Sequence, residues 1–153
     1  MSVTVSLRKV VEEMDVLNDE WTAYLNRRTG ELFTVTTDDL SALENADDPD
    51  LADWQRELLP KIREVTESAD WLPLPSKFDV HEYNLMERFC AAIDDDTLRE
   101  DLLDAIRGSG AFRRFKDMIH RHGMQGEWYR FRGRELDRIA AEWLEANGIP
   151  YER

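Results

Sequence analysis

The chain has 153 residues, of which 33 are acidic and 20 are basic, so its formal net charge is −13. Hydrophobic residues make up 42% of it, which is enough for a folded core and excludes wholesale disorder. Every apolar run is far shorter than the roughly 18 residues of a membrane span, and the single cysteine excludes a disulfide framework. We therefore expect one cytoplasmic domain without a secretory leader.

The N-terminal part predicts a helix followed by a hairpin. Apolar residues recur at helical spacing from Leu7 to Met14, and Ser6 is placed to be the N-cap. Two β-rich runs, Trp21–Leu25 and Glu31–Thr36, then flank a short loop that ends in Gly30. Glycine tolerates the left-handed backbone that closes such loops, so we predict an antiparallel β-hairpin.

An acidic segment follows the hairpin, with eight acids and one base between Asp38 and Glu57. Thr37 is predicted to cap a short peripheral helix there. The spacing of the acids does not match a calcium loop, so we interpret the segment as a solvated acidic face. Apolar spacing that includes Trp54 predicts a further helix, either kinked or split in two at Pro60.

The next prolines and the second half complete the predicted fold. Trp71–Pro75 is predicted to be an edge strand beside the hairpin, because proline is tolerated there. The second half is predicted to be helical, with Phe112 on a core face and a final stop at Gly148. Its helices are predicted to open at Asp79 (with Glu82 as a capping box), at Asp95 or Asp96, at Ser109, and at Arg134 after a separate aromatic stretch. The fold class is α+β, a mainly helical single domain with a small N-terminal antiparallel hairpin, divided internally into 1–75 and 76–153.

Several segments in this order resemble a bacterial family known as uncharacterised protein family 0158. The segments are Tyr24–Glu31, Leu72-Pro73, Gly110–Asp117, Trp128-Tyr129, Ala141–Leu144 and Gly148-Ile149. The family usually has aspartate where this hairpin has Asn26, which keeps a loop-capping oxygen but has no charge. The resemblance implies a cytoplasmic bacterial protein of one domain, and it implies no activity, cofactor or catalytic residue.

The charge is unevenly distributed along the chain. Residues 107–138 contain nine bases and four acids, a local net charge of +5, whereas the remainder of the chain has a net charge of −18. A basic stretch within an acidic protein is where an anionic partner can bind. The alternative is that these bases dock against the protein's own acidic surface.

The segment after Gly108 suggests a small anion site. Helix N-termini bind phosphate and carboxylate, so we hypothesise an anion held by the amides of Ser109 and Gly110 with Arg113 or Arg114. The alternative is a short turn followed by an ordinary amphipathic helix, whose outer face presents Arg113, Lys116 and His120.

A second hypothesis for the same stretch is binding of RNA or single-stranded DNA. Trp128, Tyr129 and Phe131 alternate with Arg130 and Arg132, and such residues stack on bases and hold a phosphate backbone. The net negative charge disfavours this hypothesis. Trp128 and Phe131, three residues apart, are also interpreted as core residues.

Enzymatic interpretations find little support. No Walker A, G-x-S-x-G or HExxH motif occurs, and Cys90 is predicted to be a buried, inert thiol. We expect no metal or cofactor, and the preferred function is a non-catalytic binding or regulatory module that contacts a protein or small anion. A nucleic-acid-binding protein is the alternative and an unrecognised hydrolase the third option; the oligomeric state stays open. The predicted contact residues are Ser109, Gly110, Arg113, Arg114, Lys116, His120, Trp128, Tyr129, Arg130 and Arg132.

Overall fold

The computed structural model describes residues 3–16, 20–76 and 80–153 of the chain. These ranges contain seven α-helices and five short β-strands, so the predicted mainly helical α+β fold is confirmed. The helices are α1 (Leu7–Asp15), α2 (Thr37–Glu44), α3 (Asp53–Glu67), α4 (Glu82–Ala91), α5 (Asp96–Ala105), α6 (Ala111–Arg121) and α7 (Gln125–Ala146). The strands are β1 (Val5–Ser6), β2 (Trp21–Asn26), β3 (Leu32–Thr36), β4 (Trp71–Pro73) and β5 (Tyr151–Glu152).

The chain divides into two compact units. The first comprises Met1–Lys77 together with Ile139–Arg153, and the second comprises Phe78–Arg138. Helix α7 contributes residues to both units. The expectation that 1–153 forms one domain, divided internally after residue 75, stays a prediction.

The first unit begins with the predicted amphipathic helix. The hydroxyl of Ser6 accepts a hydrogen bond from the backbone N–H of Lys9, so the predicted N-cap is confirmed. Leu7, Val10 and Met14 are buried along one face of α1. The periodicity of the sequence therefore identified both the helix and the side that it buries.

The predicted hairpin is confirmed by the antiparallel pairing of β2 with β3. Gly30 has a φ of +78°, and its N–H donates to the carbonyl of Asn26. The side-chain oxygen of Asn26 also accepts from the amides of Arg28 and Thr29, at 2.8 and 3.1 Å. Asparagine thus keeps the loop-capping role without a carboxylate.

Strand β4 is the predicted edge strand, because it pairs with β2 on the side opposite β3. Pro73 lies opposite Tyr24 in this pairing. One face of the sheet contributes to a buried cluster of Val35, Ile62 and Trp71. The short sheet and α3 therefore share a core within the first unit.

Helix α2 is capped one residue earlier than predicted. The hydroxyl of Thr36, not of Thr37, accepts from the N–H of Asp39, and the Asp39 carboxylate accepts from the N–H of Thr36. This capping box requires a spacing of three residues from Asp39, which Thr36 has and Thr37 does not.

Helix α3 is continuous through Pro60, so the predicted split into two shorter helices is wrong, and the alternative of a kink stays a prediction. Proline removes one N–H from the helix, but Pro60 is exposed and water can reach the carbonyl left without a donor. Burial of Ile62 and Val65 stabilises the turns that follow. Trp54, predicted to lie on the apolar face, is 61% exposed.

The predicted stop after the last helix is confirmed. Gly148 has a φ of +67°, its N–H donates to Glu145, and the N–H of Ile149 donates to Leu144, which together form a Schellman motif. The chain then continues into β5, whose pairing with β1 is parallel. The sequence did not predict this pairing.

In the second unit, the structure describes the predicted capping residue of α5 but not that of α4. Helix α4 follows His81, whose φ is 54°, and the capping residue predicted for it, Asp79, lies outside the described residues. Helix α5 has the predicted cap, because the Asp95 carboxylate accepts from the N–H of Leu98 at 2.9 Å.

Helix α6 begins at Ala111, so the prediction that Ser109 opens it is wrong. Ala111, Phe115 and Ile119 form its buried stripe at intervals of four residues. Phe112 lies about 60° from the centre of this stripe and is 44% exposed, which contradicts the core position predicted for it.

Helix α7 begins at Gln125, so the prediction of a start at Arg134 is wrong. Gly126 lies in the first turn of this helix and Gly133 in its interior, where a glycine costs about 1 kcal/mol relative to alanine. Burial of Trp128 offsets that cost, since its ring packs against Phe115 with centroids 4.8 Å apart. Tertiary packing therefore overrides local preference here.

None of the helices in the described ranges combines the length and the apolar composition needed to cross a lipid bilayer.

Candidate functional site

The turn between α5 and α6 places two neighbouring arginines in different environments. The guanidinium of Arg114 donates to the carbonyls of Ala105 at 2.7 Å and Ser109 at 2.6 Å, and also to that of Arg107. It therefore satisfies carbonyls at and beyond the C-terminus of α5, where a positive charge is also favourable for the helix dipole. The guanidinium of Arg114 is therefore bound to backbone carbonyls of the protein and is not directed at a ligand.

The conformation of Gly110 supports this arrangement. Its φ of +76° favours glycine, and a Cβ atom there would lie 3.1 Å from an Arg114 guanidinium nitrogen. Ser109 is exposed, and its carbonyl is one of the Arg114 acceptors. Of the hypothesised anion site, the two amides and Arg113 remain as candidate groups.

The outer face of α6 presents cations that are not neutralised by neighbouring acids. Arg113 has no carboxylate within 4 Å among the described residues, and so it is not paired with Asp117 four residues later. Lys116 is exposed and lies over the Phe112 ring, with its Nζ 4.7 Å from the centroid. The His120 ring contacts the side-chain amide of Gln125.

The aromatic stretch of α7 is divided between core and surface. Trp128 is 1% exposed and packs against Phe89, Phe115 and Phe131, so it is a core residue and cannot stack on a base. Tyr129 is 59% exposed. Of Trp128 and Tyr129, the two aromatic residues among the predicted contact residues, only Tyr129 is therefore at the surface.

Arginines of the basic stretch form ion pairs both between α4 and α7 and within α7. Arg132 donates twice to the same carboxylate oxygen of Glu82, at 2.9 and 2.6 Å. Glu135 accepts from Arg88 and Arg138 at 2.6 and 2.8 Å. Desolvation raises the pKa of Glu135, but hydrogen bonds and charge from the two arginines outweigh it and hold the pKa below its ordinary value.

The nine bases of residues 107–138 thus fall into two groups. Four are engaged within the protein: Arg107 with Asp104, Arg114 with backbone carbonyls, Arg132 with Glu82, and Arg138 with Glu135. The other five have no carboxylate within 4 Å in the part of the chain that the structure describes, and all five are exposed: Arg113, Lys116, Arg121, Arg130 and Arg134. The predicted basic surface is therefore reduced but not cancelled.

Two of these five cations border a cleft in the second unit. The cleft has a volume of about 350 Å³ and lies between the C-terminal end of α4 and the first half of α7. It is lined by Phe89, Ala92, Ile93, Glu127, Arg130, Phe131 and Arg134, and we call it the arginine cleft. Its apolar side is aromatic and aliphatic, and its rim has two arginines one helical turn apart.

The match to a protein-family model covers residues 1–152, almost the entire sequence, and the family is described as Uncharacterised protein family (UPF0158). The chain belongs to the UPF0158 family. The predicted resemblance is therefore confirmed. Comparisons of this UPF0158 protein with curated proteins and with solved structures return no match.

The described part of this UPF0158 protein holds neither a cluster of metal ligands nor a reactive cysteine. No three histidine, cysteine, aspartate or glutamate side chains there converge as metal ligands would. Cys90 is buried, and burial raises the pKa of its thiol to about 11. The thiol is therefore protonated at neutral pH and unsuited to nucleophilic attack.

Sequence reasoning missed the arginine cleft. Arg134 was counted as a base but not as a contact residue, because the final helix was expected to begin there. A helix that begins at Gln125 places Arg130 and Arg134 on one face, four residues apart. Their spacing was visible in the sequence, but its meaning depended on the helix boundary.

Proposed function

We propose that this UPF0158 protein is a non-catalytic binding module that contacts an acidic segment of a protein partner through the arginine cleft. The observation that carries the proposal is that Arg130 and Arg134 are exposed, without acidic partners among the described residues, beside an apolar surface. A ligand with apolar side chains and nearby carboxylates matches both features.

The apolar part of the cleft is needed for appreciable affinity. An exposed ion pair contributes only about 0.2–1 kcal/mol, because water and salt screen it. Burial of an aliphatic or aromatic side chain against Phe89, Ile93 and Phe131 adds roughly 25 cal/mol per Å² of apolar area removed from water. The arginines then orient the ligand and select its charge.

Nucleic acid is the less favourable partner. Affinity for a phosphate backbone is dominated by positive charge, whereas this chain has a net charge of −13. Trp128 is buried and so cannot act as a stacking platform, which leaves Tyr129 beside Arg130 as the supporting feature. An RNA therefore serves as the second arm of the test.

We also assign the module to the cytoplasm. The support is its cysteine content, since the sole cysteine, Cys90, is a buried free thiol.

The test compares two fluorescein-labelled probes by fluorescence anisotropy: a short peptide of glutamate and leucine, and a uridine oligonucleotide. We expect the peptide to bind and Arg130→Glu/Arg134→Glu to weaken it at least about tenfold, which corresponds to roughly 1.4 kcal/mol. The matched control is Arg27→Glu/Arg63→Glu, which makes the same change in net charge at two exposed arginines of the first unit.

Three results would contradict the proposal. The first is that the wild-type protein shows no affinity for the peptide, and the second is that both double variants weaken peptide binding equally. Tight binding of the oligonucleotide alone, lost with Arg130→Glu/Arg134→Glu, would replace the proposal with nucleic-acid binding. Circular dichroism of both variants checks that the fold is retained.

A further inference from the structure

We infer that the arginine cleft binds Trp54 of a second copy of this chain. The inference rests on the proposed function, because it names one acidic protein partner for the same two arginines. It follows from a surface of the first unit whose charge is opposite to that of the cleft and whose aromatic residue and residue spacing match those of the cleft.

That surface lies at the start of α3. Trp54 is 61% exposed, more than any other large hydrophobic side chain of the described residues, and exposed Asp53 and Glu57 accompany it. Neither carboxylate has a basic side chain within 4 Å in the described part of the chain. We call Asp53, Trp54 and Glu57 the tryptophan segment.

The one base of this acidic region is engaged elsewhere. The guanidinium of Arg56 donates to the carbonyls of Asp48 and Pro49 at 3.1 and 2.9 Å. The tryptophan segment therefore presents two negative charges and one large apolar side chain to solvent. Tryptophan is among the residues that most often dominate the affinity of protein interfaces.

The tryptophan segment and the cleft have the same residue spacing with opposite charge. In α3, acids at positions 53 and 57 are four residues apart, and the aromatic residue follows the first acid directly. In α7, Arg130 and Arg134 are four residues apart, and Phe131 follows the first arginine directly. On a helix, residues four apart have Cβ atoms about 5–6 Å from each other, so the two acids span the same distance as the two arginines.

This match defines how the two helices meet. On each helix, both charged residues lie on the same side of the aromatic residue, about 60° and 100° from it around the axis. When α3 of one copy approaches α7 of another in antiparallel orientation, the acids and the arginines fall on the same side of the contact. The indole of Trp54 then enters the apolar part of the cleft beside Phe89 and Phe131, where aromatic rings favour offset or edge-to-face contact.

The net charge of the whole chain acts against this contact and defines the conditions for the test. Two copies, each with a net charge of −13, repel each other at long range. At about 0.15 M salt the Debye length is near 8 Å, so long-range repulsion is screened while charges in direct contact still attract. Glu127, the acid of the cleft lining, opposes the approach locally.

The interface is heterologous, because the tryptophan segment and the cleft are different surfaces. Each copy presents one of each, so the copies associate head to tail, either as a closed ring or as an open chain. Two variants with different defects therefore complement each other. A chain that lacks Trp54 still has the cleft, and a chain that lacks the cleft arginines still has Trp54.

The experiment measures the mass of the full chain by sedimentation velocity at about 0.15 M salt and at concentrations up to about 100 µM, where weak interfaces associate. We expect the mass of the wild type to rise with concentration above that of one 18.0 kDa chain. Trp54→Ala and Arg130→Glu/Arg134→Glu are each expected to remain monomeric, and their equimolar mixture to form a one-to-one dimer. Tyr129→Ala, which removes an exposed aromatic residue outside the cleft lining, is the matched control and is expected to associate like the wild type.

The inference is overturned if the wild type stays monomeric throughout this range, if Tyr129→Ala abolishes association as Trp54→Ala does, or if the mixture stays monomeric. These results are distinct from failure of the proposed function. A monomeric wild type that still binds the acidic peptide through Arg130 and Arg134 refutes self-association alone. A wild type that neither associates nor binds the peptide refutes both.

Discussion

Adjacent arginines in this protein have different roles, and the difference depends on the hydrogen-bond partners that each one reaches. Arg114 lies within hydrogen-bond distance of three backbone carbonyls around the end of α5. Arg113 lies about 100° from it around the axis of α6 and has no carboxylate within 4 Å among the described residues. Both residues are exposed, so exposure alone does not distinguish a ligand-binding arginine from a structural one. The hydrogen-bond partners do.

Arg114→Ala is expected to lower the free energy of unfolding by about 1–2 kcal/mol, because it leaves carbonyls at the α5–α6 turn without their charged donor. Arg114→Lys should recover only part of this loss, since an ammonium group cannot span the carbonyls as a planar guanidinium does. Urea unfolding followed by circular dichroism measures both variants. Arg113→Ala is the matched control and should change stability by less than about 0.5 kcal/mol; equal losses for the two alanine variants would contradict the assignment.

Glu135 makes stability depend on pH. Its pKa is lowered in the folded protein, so its ionised form contributes stability above the unfolded-state pKa of about 4.3, and this contribution is lost as the pH falls through the folded-state value. We expect Glu135→Gln to destabilise the protein at pH 7 by roughly 1–3 kcal/mol. The difference from the wild type should shrink below about pH 4, as thermal unfolding at a series of pH values will show.

Glu127→Gln is the control for that series. Glu127 lies on the same helix and is exposed, with no basic side chain within 4 Å among the described residues. Its substitution should leave the pH dependence unchanged. A Glu135→Gln difference that stays constant from pH 7 to pH 3 would contradict the role assigned to the carboxylate.

At the scale of elements, the features that depend on neighbouring residues were predicted from the sequence, and the features that depend on tertiary packing were not. The hairpin around Gly30 and the helix stop at Gly148 were predicted because each depends on neighbouring residues alone. The start of α7 was missed because Gly126 and Gly133 resemble helix breaks, and burial of Trp128 is a tertiary fact. The pairing of β1 with β5 was missed because two-residue strands have no pattern of their own.

Substitution of glycine by alanine is expected to have opposite effects at a helix end and inside a helix. Gly148→Ala is expected to destabilise by about 1 kcal/mol, because alanine is strained at a φ of +67°. Gly133→Ala is expected to stabilise by about 0.5–1 kcal/mol, because alanine is the better helix former. An added Cβ has nothing within 4 Å at either position, so steric clash does not enter the comparison. Urea midpoints measure both, and shifts of the same sign would contradict this account.

The candidate site was predicted only in part, because some of its features depend on tertiary packing and not on neighbouring residues. Arg130 was named from the sequence, because an exposed base can be anticipated from local charge. Arg134, Phe89 and Ile93 were not, since their convergence depends on how α4 and α7 pack. The engagement of Arg114 and Arg132 likewise depends on contacts that no local pattern contains.

At the scale of the whole molecule, the two proposed surfaces have opposite charge and belong to different units. The second unit holds the basic stretch, whereas the acidic segment from Asp38 to Glu57 lies in the first unit. Such a protein can be both strongly acidic and locally cationic, so its net charge alone does not identify its partners.

The parallel pairing of Val5–Ser6 with Tyr151–Glu152 has a consequence for synthesis of the chain on the ribosome. Strand β1 emerges early but must wait for nearly all the residues that follow before its partner strand exists. The second unit is contiguous in sequence, from Phe78 to Arg138, and can complete its contacts sooner. Vectorial synthesis therefore leaves this first-made strand without its partner until the chain is nearly complete, and during that interval its unpaired edge is open to other chains.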